Sequence, residues 1–423
     1  MKDSRTAKTS IIFCANVISI ITLFIYASAG GFESAAVQTC IEAWPGETAV
    51  SIRMMLTLPA LVQSVFMLVT GPFFGKKISY RFAGIAGLAL VAAGGTVPAF
   101  FSPSWLVVLI FRGAGIGLGA GLLSMRTALL IKSVPRGDSG KWIGIAGACA
   151  ALVSMAFSPL AGALAQVHWN YCFLVNIPAF ACLVFCVIFL REPSDEQALP
   201  AEADGPSGPE TRASPSASAA AAPGTRPDSG TVPRINPRVI LYLVIVFITN
   251  VIAYSAISGI STLFAENGLG LAGAAGITIS VYSLAGALGS LLLKLLQKAF
   301  RRQLITVCAI TCGAGMLVVN MAPNAALAAC GMAMIGFCYF PIAGILQVYN
   351  GEDQPPEKLA LSSIFIMMGT MTAVFVSNWF ILLCGKLLHF RGSEVSSALL
   401  AGAVIFFLTG IFWAALQARR AKR

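Results

Sequence analysis

The sequence has few charged residues and almost no histidine. Only 11% of its 423 residues are Asp, Glu, Lys or Arg, against roughly 25% in soluble domains. With 57% hydrophobic residues and a mean hydropathy of +0.83, this composition excludes a water-soluble globular protein. Long apolar segments recur along the whole chain, which also excludes a soluble domain on a single anchor. We predict an all-α integral membrane protein with many spans.

Motifs for metal, nucleotide or covalent chemistry are equally scarce. Most of the 11 cysteines lie in apolar segments, where a thiol behaves as a small hydrophobe. With two histidines, no spacing fits a zinc or haem site. The segment from Gly71 to Gly75-Lys76 is one residue short of a phosphate loop. We therefore expect no metal, no cofactor and no enzymatic activity.

Twelve apolar segments are long enough to cross a bilayer, which needs about 20 residues. They form two sets of six, at residues 11–32, 49–74, 83–100, 105–130, 141–166 and 171–190, then at 238–264, 271–294, 303–321, 325–349, 358–384 and 395–417. The stretch between Gly30 and Ser51 is predicted to be an exposed loop.

The two sets of spans are separated by a segment of different composition. Residues 192–236 contain eight prolines among Ala, Ser, Gly and acidic residues, which predicts a disordered linker. We divide the chain into an N-terminal six-helix bundle at residues 1–191, this linker, and a C-terminal six-helix bundle at residues 237–423.

Basic residues mark one side of the predicted membrane protein. If both termini lie inside, 24 of the 28 Lys and Arg residues are on that side, which predicts cytoplasmic termini. The net charge of +11 is explained by these loops, so we expect the lipid bilayer and not nucleic acid as partner. A bacterial inner membrane and a monomer are the simplest expectations. A signal peptide cleaved near Ala27-Ser28-Ala29 is the rival interpretation, and it would leave eleven spans.

Four motifs carry a resemblance to a known family. They are the basic loop after the second span, Arg112 and the glycines that follow it in the fourth span, a Ser-Pro-x-x-Gly segment in the fifth, and Trp169-Asn170-Tyr171-Cys172-Phe173-Leu174-Val175-Asn176-Ile177-Pro178 at the sixth. On twelve spans these motifs resemble the major facilitator superfamily, in particular its drug:proton antiporter branch. The resemblance implies alternating access by rocking of two six-helix bundles, with conformational-switch roles for Gly71, Gly75, Lys76, Lys77, Arg81, Gly113, Gly117, Ser158, Pro159 and Gly162.

Charged residues within the spans are the first functional candidates. Arg112 lies about seven residues into the fourth span, where an unpaired cation is costly. The resemblance implies that it binds substrate or biases a nearby carboxylate, and the structural alternative is snorkelling to the membrane surface. Glu33 and Glu266 lie near span ends, where a solvated loop acid is the commoner role. If a proton site exists, Glu33 is our first candidate.

Polar residues on the cavity-lining helices are the candidates for substrate contact. The resemblance implies that helices 1, 4, 7 and 10, with 2, 5, 8 and 11, surround a central cavity. Each side chain could instead form an interhelical hydrogen bond, worth about 0.6 kcal/mol. The candidates on these helices are Tyr26, Arg53, Gln63, Arg112, Asn250, Tyr254, Tyr282, Tyr339, Gln347 and Asn378.

The sequence thus predicts a secondary active transporter of small molecules. An exporter of small amphipathic or drug-like compounds is the leading hypothesis, with protons as the candidate coupling ion. The paucity of acids also leaves facilitated diffusion or exchange open. The alternatives are an organic-anion carrier or exchanger that uses Arg112 and, more remotely, a solute-sensing membrane receptor.

Overall fold

A computed structural model describes residues 2–74, 77–134, 139–192, 237–353, 356–388 and 390–421. In these ranges the chain forms helices and no β-strand, apart from an isolated bridge between Phe74 and Ile78. The α-helices are α1 Lys2–Tyr26, α2 Val37–Ala43, α3 Ala49–Thr70, α4 Tyr80–Phe100, α5 Trp105–Ile110, α6 Leu118–Leu122, α7 Arg126–Ser133, α8 Ser139–Val167, α9 Pro178–Phe189, α10 Pro237–Glu266, α11 Ala272–Leu291, α12 Leu293–Phe300, α13 Leu304–Asn320, α14 Ala325–Asp353, α15 Pro356–Leu388 and α16 Glu394–Ala421.

The helices supply the spans that a multi-pass membrane protein needs. Eleven helical segments in the described ranges are long and apolar enough to cross a membrane, and α12 with α13, bent by 109°, make a twelfth candidate. The predicted linker at 192–236 lies outside the described residues except for Glu192. Buried apolar side chains form two separate cores, one between Val17 and Leu190 and one between Tyr242 and Trp413 that also includes Ala35.

Glycines allow α4 and the fourth span to pack at backbone distance. A Cβ on Gly115 would lie 2.4 Å from the Cα of Gly94, and a Cβ on Gly119 would lie 2.7 Å from the carbonyl of Gly87. Only glycine fits such an approach, which explains the glycine repeat after Arg112.

The two halves contact each other mainly through α8 with α11 and α3 with α15, and α2 also contacts α10. A Cβ on Gly276 would meet Pro159 at 2.6 Å, and a Cβ on Gly162 would meet the Ala272 carbonyl at 2.6 Å. Nearer the middle of the pair, Ser280 Oγ donates a hydrogen bond of 2.5 Å to the Met155 carbonyl. The chain order places these close glycine contacts at the ends of α8 and α11 that lie on the side of the protein opposite the two chain termini.

The first span departs from the sequence-based expectation. α1 ends at Tyr26, and two short 3₁₀ turns precede α2. The adjacent glycines Gly30 and Gly31 disfavour a continuous α-helix here. The expected exposed loop is wrong for residues 32–40, because Glu33 and Cys40 are fully buried.

Other spans are also less regular than predicted. Phe111–Gly117 is a π-helix and Leu123–Met125 a 3₁₀ turn, so the fourth span is not one α-helix. The sixth span begins with a 3₁₀ helix at Trp169–Asn176 before α9. The eighth span stops at Leu291, and the separate short helix α12 follows after Leu292, with a bend of 109° between α12 and α13.

Candidate functional site

Two irregular segments meet inside the N-terminal half. Glu33 lies between the two 3₁₀ turns that interrupt the first span, and Arg112 lies in the π-helix of the fourth. The glycines at 113, 115 and 117 lower the α-helical propensity of that segment. π-Helical turns are rare and occur frequently at functional sites. The irregular backbone therefore places an acidic side chain, Glu33, and a basic side chain, Arg112, where a regular helix pair would place apolar side chains.

Glu33 and Arg112 form a fully buried, bidentate ion pair. Arg112 Nη1 donates to Glu33 Oε1 at 2.7 Å, and Nη2 donates to Glu33 Oε2 at 2.8 Å. Both side chains are 0% exposed. The parallel arrangement of two N–H donors and two oxygens is the strongest geometry for this pair. The structure therefore does not support snorkelling of Arg112 or a solvated Glu33.

Backbone carbonyls and an aromatic ring complete the surroundings of Arg112. Its Nε donates to the Met55 carbonyl at 3.2 Å, and Nη2 also donates to the Gly30 carbonyl at 3.1 Å. The guanidinium lies 5.6 Å from the centroid of the Phe173 ring. Arg112 thus keeps favourable partners besides Glu33, which lowers the cost of its burial.

Asn176 is the third polar member of this cluster. Its Nδ2 donates to Glu33 Oε1 at 2.6 Å and lies 3.3 Å from the Phe173 carbonyl. A Cβ on Gly95 would lie 2.6 Å from Asn176 Cγ, so only glycine leaves room for the amide. Asn176 belongs to one of the four sequence motifs but is not among the candidates chosen from sequence, and its place in that motif is the one sequence signal that pointed to it.

Aromatic side chains continue from the cluster toward the end of the half that lies away from the termini. Phe173 packs edge-on against Trp169, and Trp169 contacts Trp44 with ring centroids 5.5 Å apart. Trp105 is buried against both tryptophans and donates from Nε1 to the Ser51 carbonyl at 3.1 Å. This layer separates the ion pair from the aqueous phase on that side.

A second polar cluster lies in the C-terminal half and contains no charge. Tyr339 Oη donates to Asn250 Oδ1, and Asn250 Nδ2 donates to the Val246 carbonyl at 2.8 Å. Tyr254 lies one helical turn after Asn250 on α10, and the Phe340 ring lies between Tyr282 and Tyr339, with ring centroids 5.8 Å and 5.3 Å away. Four candidates chosen from sequence are therefore brought together by α10, α11 and α14.

Two other candidates join the halves to each other in this conformation. Arg53 is buried in α3, and its Nη1 lies 3.7 Å from Glu394 Oε2 at the start of α16. Asn378 Nδ2 donates to Thr57 Oγ1 at 2.7 Å between α15 and α3. Thr57 lies one helical turn after Arg53, so both contacts lie on one seam, which we call the α3 seam. Here Arg53 and Asn378 serve the closure of the halves.

The remaining single candidates lie apart from both clusters. Tyr26 is buried at the end of α1 and packs against Phe32, with ring centroids 6.4 Å apart. Gln63 lies on α3 and is nearly buried, and Gln347 lies half-buried on α14.

The structure describes some residues of the predicted conformational-switch motifs. Gly71 begins a 3₁₀ turn after α3, and Lys77 Nζ lies 5.6 Å from the centroid of the Phe73 ring. Gly75 and Lys76 lie outside the described residues. The Arg81 guanidinium donates to the Val187 carbonyl at 2.9 Å, and its backbone N–H donates to Glu192 at 2.7 Å.

The glycines and the proline of the other motifs lie at helix contacts. A Cβ on Gly113 would meet Leu58 at 2.9 Å, and a Cβ on Gly117 would meet Val62 at 2.7 Å, both on α3. The Ser158, Pro159 and Gly162 segment lies against α11, as described above.

Comparison with known proteins shows which family this chain belongs to. The family model described as Major Facilitator Superfamily matches residues 12–377, which is most of the chain. The chain belongs to the Major Facilitator Superfamily. It is therefore a multi-pass membrane protein with the fold of that superfamily, and a secondary transporter.

Solved superfamily members and a curated relative extend the comparison. A D-xylose–proton symporter aligns with a TM-score of 0.69 at 14% identity, over 95% of this chain and 97% of that one. A bacterial homologue of the human lysosomal transporter Spinster, in an inward-facing and occupied conformation, aligns with a TM-score of 0.65 at 13% identity, over 97% of both chains. At these identities the likeness shows the fold alone.

The curated relative is MFS transporter L2 of Phoma sp. It is 28% identical over 137 residues, which are 31% of this chain and 22% of that protein. The chain thus spans about a fifth of the length of the curated relative that it matches.

Proposed function

We propose that this transporter exports small amphipathic compounds in exchange for protons, with Glu33 as the proton acceptor. The observation that carries the proposal is the buried pair of Glu33 with Arg112. Among the described residues, Glu33 is the only carboxylate that is fully buried. An ionisable residue within the membrane that is paired with an opposite charge is a typical element of a proton pathway.

Protonation of Glu33 changes the balance of forces in the cluster. The neutral acid no longer compensates the charge of Arg112, and a buried uncompensated cation is strongly unfavourable. The Met55 carbonyl holds Arg112 against α3, whereas the Gly30 carbonyl belongs to the segment that also carries Glu33. The segment that carries Gly30 and Glu33 is then held to the fourth span by hydrogen bonds without the ion pair, and it can separate more readily. Proton uptake therefore couples to a movement of the broken first span.

The geometry favours this role over an organic-anion site at Arg112. Both terminal nitrogens of Arg112 already donate to Glu33, and its remaining bonds go to backbone carbonyls. An anionic substrate would have to displace a bidentate carboxylate from a site that is closed to water. Proton transfer to Glu33 needs no such exchange of ligands.

The substrate class follows from the cluster of the C-terminal half. Asn250 and the three tyrosines provide hydrogen-bonding groups without formal charge, and Phe340 lies 5.3 Å from Tyr339 and 5.8 Å from Tyr282 between ring centroids. Aromatic rings with a few placed polar groups suit small amphipathic ligands. The export direction rests on the resemblance of residues 158–162 to the motif of drug:proton antiporters.

The test compares two identical substitutions of glutamate. A thermal-stabilisation screen of organic anions, lipophilic cations and neutral amphiphiles first selects a ligand, since a ligand at about 100 times its Kd adds about 2.7 kcal/mol. Transport of that ligand is then driven by a pH gradient in proteoliposomes. Glu33→Gln should abolish gradient-driven transport while retaining ligand stabilisation and ligand exchange. The exposed Glu47→Gln should transport like the wild type.

The outcomes separate the hypotheses. Gradient-driven transport that persists in Glu33→Gln contradicts the coupling role. Stabilisation by anions alone, lost in Arg112→Gln, would instead establish the organic-anion carrier.

A further inference from the structure

The short helix α12 is bent sharply away from α13, the span that follows it. It follows α11 after one residue, and the axis turns by 109° between α12 and α13. At this turn Arg301 has φ of +47°, a value that is strained for a residue with a side chain. α13 has 17 residues, about 25 Å at 1.5 Å per residue, and reaches across most of the bilayer core without α12. α12 therefore lies across the end of the spans, on the side of the termini.

The short helix has distinct faces. Leu293 is buried, and Leu296 packs against the core of the C-terminal half. Leu295 is 63% exposed, and Leu291 just before the helix is 70% exposed. Lys294 and Lys298 are exposed and one turn apart, so they share a third face. One side thus holds the protein, one side is apolar and uncovered, and one side is basic.

The charge of this segment is of one sign only. Residues 291–303 contain Lys294, Lys298, Arg301 and Arg302 and no acidic residue. Like charges one helical turn apart repel each other. An anionic partner along this face removes that cost.

We propose that α12 is an interfacial helix that binds anionic phospholipid on the side of the termini. Leu295 and Leu291 insert among the acyl chains, and the ammonium groups of Lys294 and Lys298 contact headgroup phosphates. Both ends of α12 join membrane-spanning helices, so the helix is held at the depth of the headgroups. A helix with one apolar and one basic face is suited to this position, and anionic lipid adds electrostatic attraction to the apolar insertion.

The location excludes a large soluble partner as the main occupant. Leu291 ends a row of exposed leucines on α11 that includes Leu284 and Leu288, so the uncovered leucines continue a surface that faces the acyl chains. Only the basic face is directed away from the protein and the apolar surface. The lipid therefore satisfies both exposed faces at once.

The experiment measures the binding of individual lipids to the purified full-length protein by native mass spectrometry. Phosphatidylglycerol is the anionic probe, and phosphatidylcholine is the zwitterionic control. For Lys294→Gln/Lys298→Gln, the affinity for the tightest-bound phosphatidylglycerol should fall by about 30-fold, the factor that two lysines contribute at an anionic surface. Binding of phosphatidylcholine should not change. Lys294→Arg/Lys298→Arg should retain the wild-type affinity.

A matched variant separates the site from net charge. Lys132 and Lys141 are exposed and lie on the same side by chain order, and Lys132→Gln/Lys141→Gln removes the same charge. This control should bind phosphatidylglycerol like the wild type. An equal loss in both double variants, or no loss in the α12 variant, would overturn the proposal. Competition by soluble glycerol phosphate as strong as by the lipid would also overturn it, since the site would then bind a free phosphate.

Discussion

The two halves of the transporter bury their polar groups in different ways. The N-terminal half holds Glu33 and Arg112 as a complete ion pair with Asn176 beside it. The C-terminal half holds Asn250 with three tyrosines and no charge. A carboxylate can change its charge with a proton, and a neutral amide cannot. In our proposal, this difference places coupling in the first half and recognition of the substrate in the second.

The backbone differs in parallel with the chemistry. The charged cluster lies where 3₁₀ and π segments interrupt the spans. The neutral cluster lies on the long helices α10, α11 and α14. The Gly30 carbonyl lies in irregular backbone, and the Met55 carbonyl is free because Pro59, four residues later in α3, has no N–H, so both can bind a buried arginine. A regular helix uses its carbonyls internally, and it tolerates amides and hydroxyls more readily than charge.

The largest expected effect is the loss of one partner of the ion pair. Arg112→Leu should destabilise the protein by about 3–5 kcal/mol, because Glu33 is then buried without its counter-charge. The double variant Glu33→Leu/Arg112→Leu should recover much of that loss. Chemical unfolding in detergent measures both, with the exposed Lys141→Leu as the control. A single variant as stable as the wild type would show that water reaches the cluster, and would remove the contrast between the halves.

An intermediate effect is expected at the α3 seam, which joins the two halves on one side. Glu394→Gln removes the counter-charge of Arg53, and a partly exposed pair of this kind contributes at most about 1 kcal/mol. The population of molecules in which the two halves have separated at this seam should therefore rise by about fivefold. Hydrogen exchange at the ends of α8 and α11 measures this change, with Glu47→Gln for comparison. Unchanged exchange would mean that the helix contacts close the seam without the ion pair.

The smallest expected effect on stability is in the neutral cluster. Tyr339→Phe deletes the hydroxyl that donates to Asn250, and a hydrogen bond between helices contributes about 0.6 kcal/mol to stability. Ligand affinity should fall by about tenfold if the ligand uses that hydroxyl, as for a bond of about 1.4 kcal/mol. The pH dependence of transport should stay as in the wild type. A shifted pH profile in Tyr339→Phe would contradict the assignment of coupling to the N-terminal half.

The helical membrane architecture could be predicted from the sequence. About 20 apolar residues in a row are required to cross a bilayer, and a helix is the structure that satisfies the backbone there. Arg112 and Glu33 could be chosen as candidates because so few ionisable residues lie in or near the spans. Asn250 and Tyr254 could be placed on one helical face, since they are four residues apart.

The pairing of these residues was decided only by the tertiary structure. Glu33 looked like a loop acid because helix periodicity does not reveal a span that breaks at Tyr26 and resumes at Val37. Asn176 and Phe173 reach the cluster from the sixth span, more than 60 positions from Arg112, and sequence spacing holds no information on that distance.

Arg53 and Asn378 illustrate the same limit between the halves. Sequence alone assigned both to the substrate, and the packing of α3 against α15 and α16 makes them contacts across the seam. The local sequence determines which segments enter the membrane, because the free-energy cost of burying backbone and charged groups depends on each residue of the segment. The docking of helices far apart in the chain sets which polar groups meet, because that depends on packing between whole faces.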